Sequence, residues 1–209
     1  MFNLDITRIL ISLPAIVIGL TFHEYAHGRM ADYLGDDTPY YQGRLTLNPL
    51  PHIDWLGFLM LMLAGFGWAK PVQVNPYKLR GGVKQGMLLV SIAGPLMNIL
   101  LAFLAIIALR VVAPYQGVEW ANYTVMLLEP LIWINLVLAV FNLIPVPPLD
   151  GSKILAGILP DRGASIMYAL EQYGILILLL LLMTGVISKV LLPLIQLLYY
   201  LLANIVFYF

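Results

Sequence analysis

Apolar runs as long as a bilayer is thick dominate this chain, and they leave it few ways to fold. A hydrocarbon core of about 30 Å needs roughly 20 apolar residues per helix, and inside it every backbone N–H and C=O must be satisfied by the protein itself. Five runs meet that length, at about 4–22, 83–112, 120–144, 165–185 and 187–209. The first continues as a helix through polar residues to about Leu34. It starts like a signal peptide, with Arg8 ahead of the apolar run, yet no small-residue cleavage pattern precedes the polar motif at 22–28, so it reads as retained. The third ends at Pro145, Pro147 and Pro148, which stop a helix. The last two form a hairpin broken at Thr184-Gly185.

Between the first two runs lies a stretch too polar to cross as a simple helix and too apolar for an ordinary loop. Gly43, Pro49, Pro51, Pro71 and Pro76 punctuate it, so 38–53 and 70–79 read as short extended strands. Residues 55–68 carry no charge but are short for a span, which fits a re-entrant or interfacial segment. The expected fold is therefore mainly α: a polytopic integral membrane protein with about five transmembrane helices, a re-entrant segment, and short strands between the first two. It reads as one domain over 1–209, with a catalytic core at 1–155 and a C-terminal helical hairpin at 156–209.

Composition narrows the function. Hydrophobic residues make up 61% of the chain and charged ones 11%, which excludes an ordinary soluble domain. Eleven basic residues balance 11 acidic ones, so no bulk charge favours nucleic acid. With no cysteine there is no disulfide framework, thiolate metal site or cysteine nucleophile, and any metal must be held by His and carboxylate. There are three histidines, His23, His27 and His52.

Phe22-His23-Glu24-Tyr25-Ala26-His27-Gly28 contains His-Glu-x-x-His at the end of the first span. Residues four apart share a helix face, so His23 and His27 can converge on one ion, while Glu24 sits beside it as a base. A zinc ion with two imidazoles, a carboxylate and an open position lowers the pKa of bound water to about 7, the chemistry of hydrolysis. Glu24 would take that proton and return it to a leaving amine. Two histidines that merely cap or pair at a membrane surface are the plainer reading. The cost of ionisable groups next to an apolar span weighs toward a site. A third ligand has to come from elsewhere, and Asp150 offers one at a broken helix end, because the prolines unwind the end of the third span and Gly151 permits a tight turn. It could equally be the N-cap of a helix starting at Gly151.

His23-Glu-Tyr-Ala-His27 together with Asn142-x-x-Pro145-x-x-x-x-Asp150-Gly151 resembles the site-2 protease family of intramembrane zinc metalloproteases, in the compact branch without a PDZ domain. Gly43-Arg-Leu-Thr-Leu-Asn-Pro-Leu-Pro-His-Ile-Asp54, Gly67-Trp-Ala-Lys-Pro-Val-Gln-Val-Asn-Pro76 and Ala93-Gly-Pro-Leu-Met-Asn98 extend the likeness over roughly 20–155. The resemblance implies one zinc ion on His23, His27 and Asp150, Glu24 as general base, and Asn142 at the active site. It implies as substrate a transmembrane helix of a membrane protein, commonly a membrane-bound transcription regulator or anti-sigma factor, within the lipid bilayer. A regulatory partner is compatible with it. Another membrane zinc protease class, similar to the CAAX-type and heat-shock membrane peptidases, takes its third ligand from a Glu-x-x-x-Asp helix. Here the residues four after Glu119, Glu129 and Glu171 are Tyr123, Trp133 and Ile175, so that class does not fit.

The remaining polar positions are open. His52 is either a solvated loop histidine or a gate or substrate contact, with Asp54 able to orient its ring. Asn98 and Asn142, amides inside spans, could each steady an oxyanion or make an interhelical hydrogen bond. The segments 41–47 and 72–75 could pair with an unwound substrate by strand addition. Basic residues give the orientation: Arg29, Arg44, Lys70, Lys78, Arg80, Lys84, Lys153 and Arg162 fall on one side of a five-span topology, and Arg8, Arg110 and Lys189 on the other. That bias expects the N-terminus outside and the active site toward the cytoplasm, and the protein is expected in the plasma membrane.

Overall fold

The computed structural model describes residues 6–64 and 67–208. Its helices, in chain order, are α1 (Ile6–Tyr33), α2 (Thr38–Tyr41), α3 (Trp55–Ala64), α4 (Gly82–Val112), α5 (Glu119–Asn142), α6 (Asp150–Ile158), α7 (Asp161–Glu171), α8 (Gly174–Met183) and α9 (Val186–Tyr208). Three stretches are long and apolar enough to cross a membrane: Gly82–Tyr115, Glu119–Asn142 and Lys189–Tyr208. The pair α7 and α8, bent by 79°, makes a fourth if it is one span. This is fewer than the five expected. The expected 165–185 run is broken at the bend, and the 4–22 run begins outside the described residues, with α1 not among the three. Residues 65–66 of the expected re-entrant segment and Phe209 also lie outside them.

α1, α4 and α5 pack on one another, and small residues make the close approach possible. A Cβ on Gly19 of α1 would lie 2.9 Å from Leu138 Cδ1 of α5, the kind of contact that lets apolar helices associate without a hydrophobic driving force between them. Ala102, Ala105 and Ile106 of α4, Ile132, Leu136 and Val140 of α5, and Ile195 and Val206 of α9 form the buried apolar core. α4 runs unbroken through Gly94-Pro95. A second, smaller cluster of Ala31, Leu34, Leu79 and Val90 closes the polar end of α1 against α4.

No strand forms among the described residues, which corrects the expected strands at 38–53 and 70–79. Residues 38–41 are α2, Leu50–His52 and Pro76–Lys78 are 3-10 turns, and a single antiparallel bridge joins Ile53 to Ala69. Buried side chains take the backbone groups that a ladder would have used. Asp36, fully buried, accepts from Thr38 N (3.1 Å) and from Asn75 N (2.6 Å). Buried Arg44 donates to the carbonyls of Pro51 and Lys70. The prolines at 39, 49, 51, 71 and 76 have no N–H to offer a ladder. With the Ile53–Ala69 bridge and Lys70 N donating to His52 O at 2.9 Å, Arg44 ties together the two ends of the α3 excursion. At 10 residues α3 extends about 15 Å, so the segment goes out and returns on the same side.

Candidate metal centre

His23 and His27 lie one turn apart near the C-terminal end of α1 and face α4. Each ring has its Nδ1 fixed by a group that can only accept. His27 Nδ1–H donates to the Val90 carbonyl at 2.7 Å. His23 Nδ1–H donates to Asn98 Oδ1 at 2.6 Å. That amide's orientation is set by its own Nδ2, which donates to the Gly19 carbonyl at 3.0 Å and to Asn135 Oδ1 at 2.8 Å. Asn135 in turn donates from Nδ2 to Leu131 O at 2.8 Å. Asn98 and Asn135 are both fully buried, so this relay from α5 through α4 to α1 has no water to replace a lost partner.

With both Nδ1 atoms committed as donors, the Nε2 atoms are left to the centre. They lie 3.0 Å apart, and Asp150 Oδ2 sits 3.2 Å from His23 Nε2 and 3.1 Å from His27 Nε2. Three lone-pair atoms face each other at a spacing close to the about 3.3 Å between neighbouring donors on a tetrahedral ion with bonds of 2.0–2.1 Å. A proton satisfies one pair among them, whereas a divalent cation satisfies all three at once. These three side chains are also the group of His and carboxylate residues that could hold a metal ion among the described residues. The donor set of two imidazoles and one carboxylate suits zinc with an open fourth position.

Asp150 reaches the histidines because the chain breaks where the sequence places its prolines. α5 ends at Asn142, and the segment through Pro145, Pro147 and Pro148 includes a cis Pro147–Pro148 bond. α6 then begins at Asp150, with Leu149 rather than Asp150 as its N-cap. Gly151 is required there: a Cβ would lie 2.4 Å from the carbonyl oxygens of both Leu143 and Ile144. The roof of the site is Gly94 of α4, where a Cβ would lie 2.4 Å from His27 Nε2 and 2.7 Å from His23 Cε1.

The other singled-out residues sit in different places. Glu24 accepts from Val72 N at 2.8 Å, so the 71–75 segment is fastened beside the histidines. Asn98 is not free to face a substrate, because its three polar contacts are all within the relay. Asn142 donates from Nδ2 to Leu138 O of its own helix at 2.9 Å. His52 is 2% exposed, which overturns the solvated-loop reading, and its Nε2–H donates to Thr46 O at 2.9 Å. Asp54 does not orient it, since its Oδ1 instead accepts from Gly57 N at 2.8 Å. Sequence reasoning missed Asn135, Asp36, Arg44 and the contact role of Gly94. Asn135 carried a usable signal, an amide seven residues before Asn142 in an apolar span.

Comparison with known proteins agrees with this arrangement. The family model described as Peptidase family M50 matches residues 110–185. The Bacillus subtilis protein named "Putative zinc metalloprotease YwhC" is 41% identical over 184 residues, covering 87% of this chain and 84% of that one. A Methanocaldococcus jannaschii protein with the same descriptive name is 31% identical over 157 residues, 73% of each chain. The Mycobacterium tuberculosis protein Rip2, also so named, is 31% identical over 173 residues, 79% of this chain and 63% of its own. No solved structure matches.

Proposed function

Because this chain belongs to peptidase family M50, we propose that it is an intramembrane zinc metalloprotease that hydrolyses a peptide bond in or near a transmembrane helix of a membrane protein. The convergence of His23 Nε2, His27 Nε2 and Asp150 Oδ2, with both Nδ1 atoms already committed, carries this reading. Those three residues would hold one zinc ion. When bound, zinc supplies Lewis acidity toward water and a peptide carbonyl. Glu24 takes the proton from the attacking water on its carboxylate and delivers it to the leaving nitrogen. Asn98 holds the His23 ring in the tautomer that leaves Nε2 available, and the Val90 carbonyl does the same for His27. Asn142 lies at the end of α5 next to the proline turn, where turning its amide away from Leu138 O would give the reacting carbonyl a donor.

A helical substrate shields its own peptide bonds, so cleavage needs local unwinding, and helices with Gly, Pro or Asn near the cut are favoured. We read α1 as a further crossing, giving five, with the N-terminus outside the plasma membrane and the site toward the cytoplasm. Catalysis is assigned to 1–155 and support to the hairpin at 156–209. The test is zinc per chain on detergent-purified protein. We expect about one zinc in wild type and little in His23→Ala or Asp150→Ala, while Glu24→Gln keeps zinc and loses about 10²–10⁴-fold in peptidase rate. Zinc retained in Asp150→Ala would overturn the ligand assignment.

A further inference from the structure

A cavity of about 340 Å³ opens between α1, α3 and α5, lined by Val17, Leu20, Thr21, Phe58, Trp133 and Val137 together with His52. Its walls are almost wholly apolar, and one lining residue, His52, carries a buried ring nitrogen that has no partner. His52 spends Nε2–H on Thr46 O, which leaves Nδ1 as a bare acceptor, buried and without a hydrogen bond. Burial lowers the pKa of this imidazole below its ordinary value of 6.5, and the Arg44 charge adds to that, so the ring is neutral and Nδ1 keeps its lone pair. The α1 wall of the cavity has a direction. Ile16, Val17, Leu20 and Thr21 all line it, and at 3.6 residues per turn this stripe is centred on the face that Glu24 occupies one turn later. One turn is about 5.4 Å, less than two residues of extended peptide.

We propose that this cavity receives a large apolar side chain of the substrate within about two residues of the scissile bond, with His52 Nδ1 accepting a hydrogen bond from a substrate peptide N–H. The proposal rests on the protease reading above and adds to it a subsite and a side-chain preference. An unwound peptide supplies both an apolar group and an N–H donor. A lipid acyl chain supplies only the first and would leave the buried acceptor unsatisfied at its full desolvation cost.

Trp68 and Trp133 both line the cavity, so intrinsic fluorescence of zinc-loaded protein in detergent can follow binding directly. The probes are a dipeptide hydroxamate with a benzyl side chain and its methyl counterpart. The benzyl probe should bind about 10–200-fold more tightly to wild type. Val137→Phe, which fills the cavity from α5, should abolish that preference while zinc content and methyl-probe affinity stay within about twofold of wild type. Methylating the probe's amide nitrogen should cost wild type about tenfold and His52→Phe nothing further. Equal affinity for the two probes, or a preference that survives Val137→Phe, overturns the pocket while leaving the protease reading intact. Quenching by an acyl-brominated phospholipid that Val137→Phe removes, with no benzyl preference, would assign the cavity to lipid and also overturn it. Failure of wild type to take up zinc or bind either probe overturns the protease reading and the pocket together.

Discussion

The helices that carry the candidate site and the C-terminal helix are almost equally apolar, yet they are used differently. Of the most apolar window of α4, 28% is buried inside the protein, and the same holds for α5; for Lys189–Tyr208 of α9 the figure is 6%. Hydropathy therefore identifies what can lie in a bilayer, and burial identifies what the protein has built around. In α1, α4 and α5 the buried positions include His23, His27, Asn98 and Asn135, each with a named partner. In α8 and α9 the outward residues are leucines such as Leu180 and Leu192, whose surroundings in a membrane would be lipid. A hydrogen bond inside such a region has no water to compete with it or to replace it, so a single polar loss in the first group should matter more than a whole apolar side chain in the second.

Gly94→Ala should break the contrast most severely. A methyl group there would lie 2.4 Å from His27 Nε2, so zinc binding and peptidase activity should both fall to background, as read by metal analysis and a cleavage assay. Asn98→Ala comes next. Loss of the partner that fixes His23 should weaken zinc about 10–100-fold by competition with a chelator, the usual cost of removing such a support. Gly185→Ala, in the turn between α8 and α9, is the control from the other region. Its φ is +68° with no atom near a Cβ, so the substitution should cost about 1 kcal/mol of stability through backbone strain and leave zinc untouched. An equal loss of zinc from Gly185→Ala and Gly94→Ala would dissolve the distinction between the regions.

The smallest effect expected lies outside both. Lys78 Nζ contacts Asp37 Oδ1 at 2.5 Å on the exposed surface, and this bond lowers the Asp37 pKa and raises that of Lys78. A carboxylate with a depressed folded pKa contributes stability above its unfolded value and loses it as pH falls through the folded one. The lysine contributes below its unfolded value and loses it as pH rises through the folded one. The difference in melting temperature between wild type and Asp37→Asn should thus be largest between those limits, shrink in acid and in high salt, and remain slight throughout because the pair is solvated.

Much of the bundle was legible because apolar length and proline position are local properties. α4 and α9 start within a residue of their expected starts, α5 ends ahead of its proline cluster, and α1 continues past its polar motif to Tyr33. The His-Glu-x-x-His spacing likewise fixed two imidazoles on one face before any packing was considered. What was not legible depended on partners far away in sequence. The stretch between α1 and α4 looks extended by composition, but Asp36 and Arg44 bind its backbone from inside, and their burial cannot be read from their own neighbours. Asn98 looked like a group that could face a substrate until Asn135 and Gly19 occupied it. The bend between α7 and α8 interrupts a run whose hydropathy is continuous.

The sequence by itself determined that this chain is mainly helical, that it is apolar enough for a membrane, and that any metal must be held by histidine and carboxylate. It could do so because those conclusions follow from residue type and from spacings of a few residues. The family resemblance already pointed to Asp150, 123 residues from His27, and tertiary structure decided that its Oδ2 meets both rings, that Gly94 leaves space for it, and which ring nitrogens face inward. Each of those depends on which helices touch, and in a bilayer that is set by close packing of small residues and by scarce polar partners rather than by how hydrophobic the helices are.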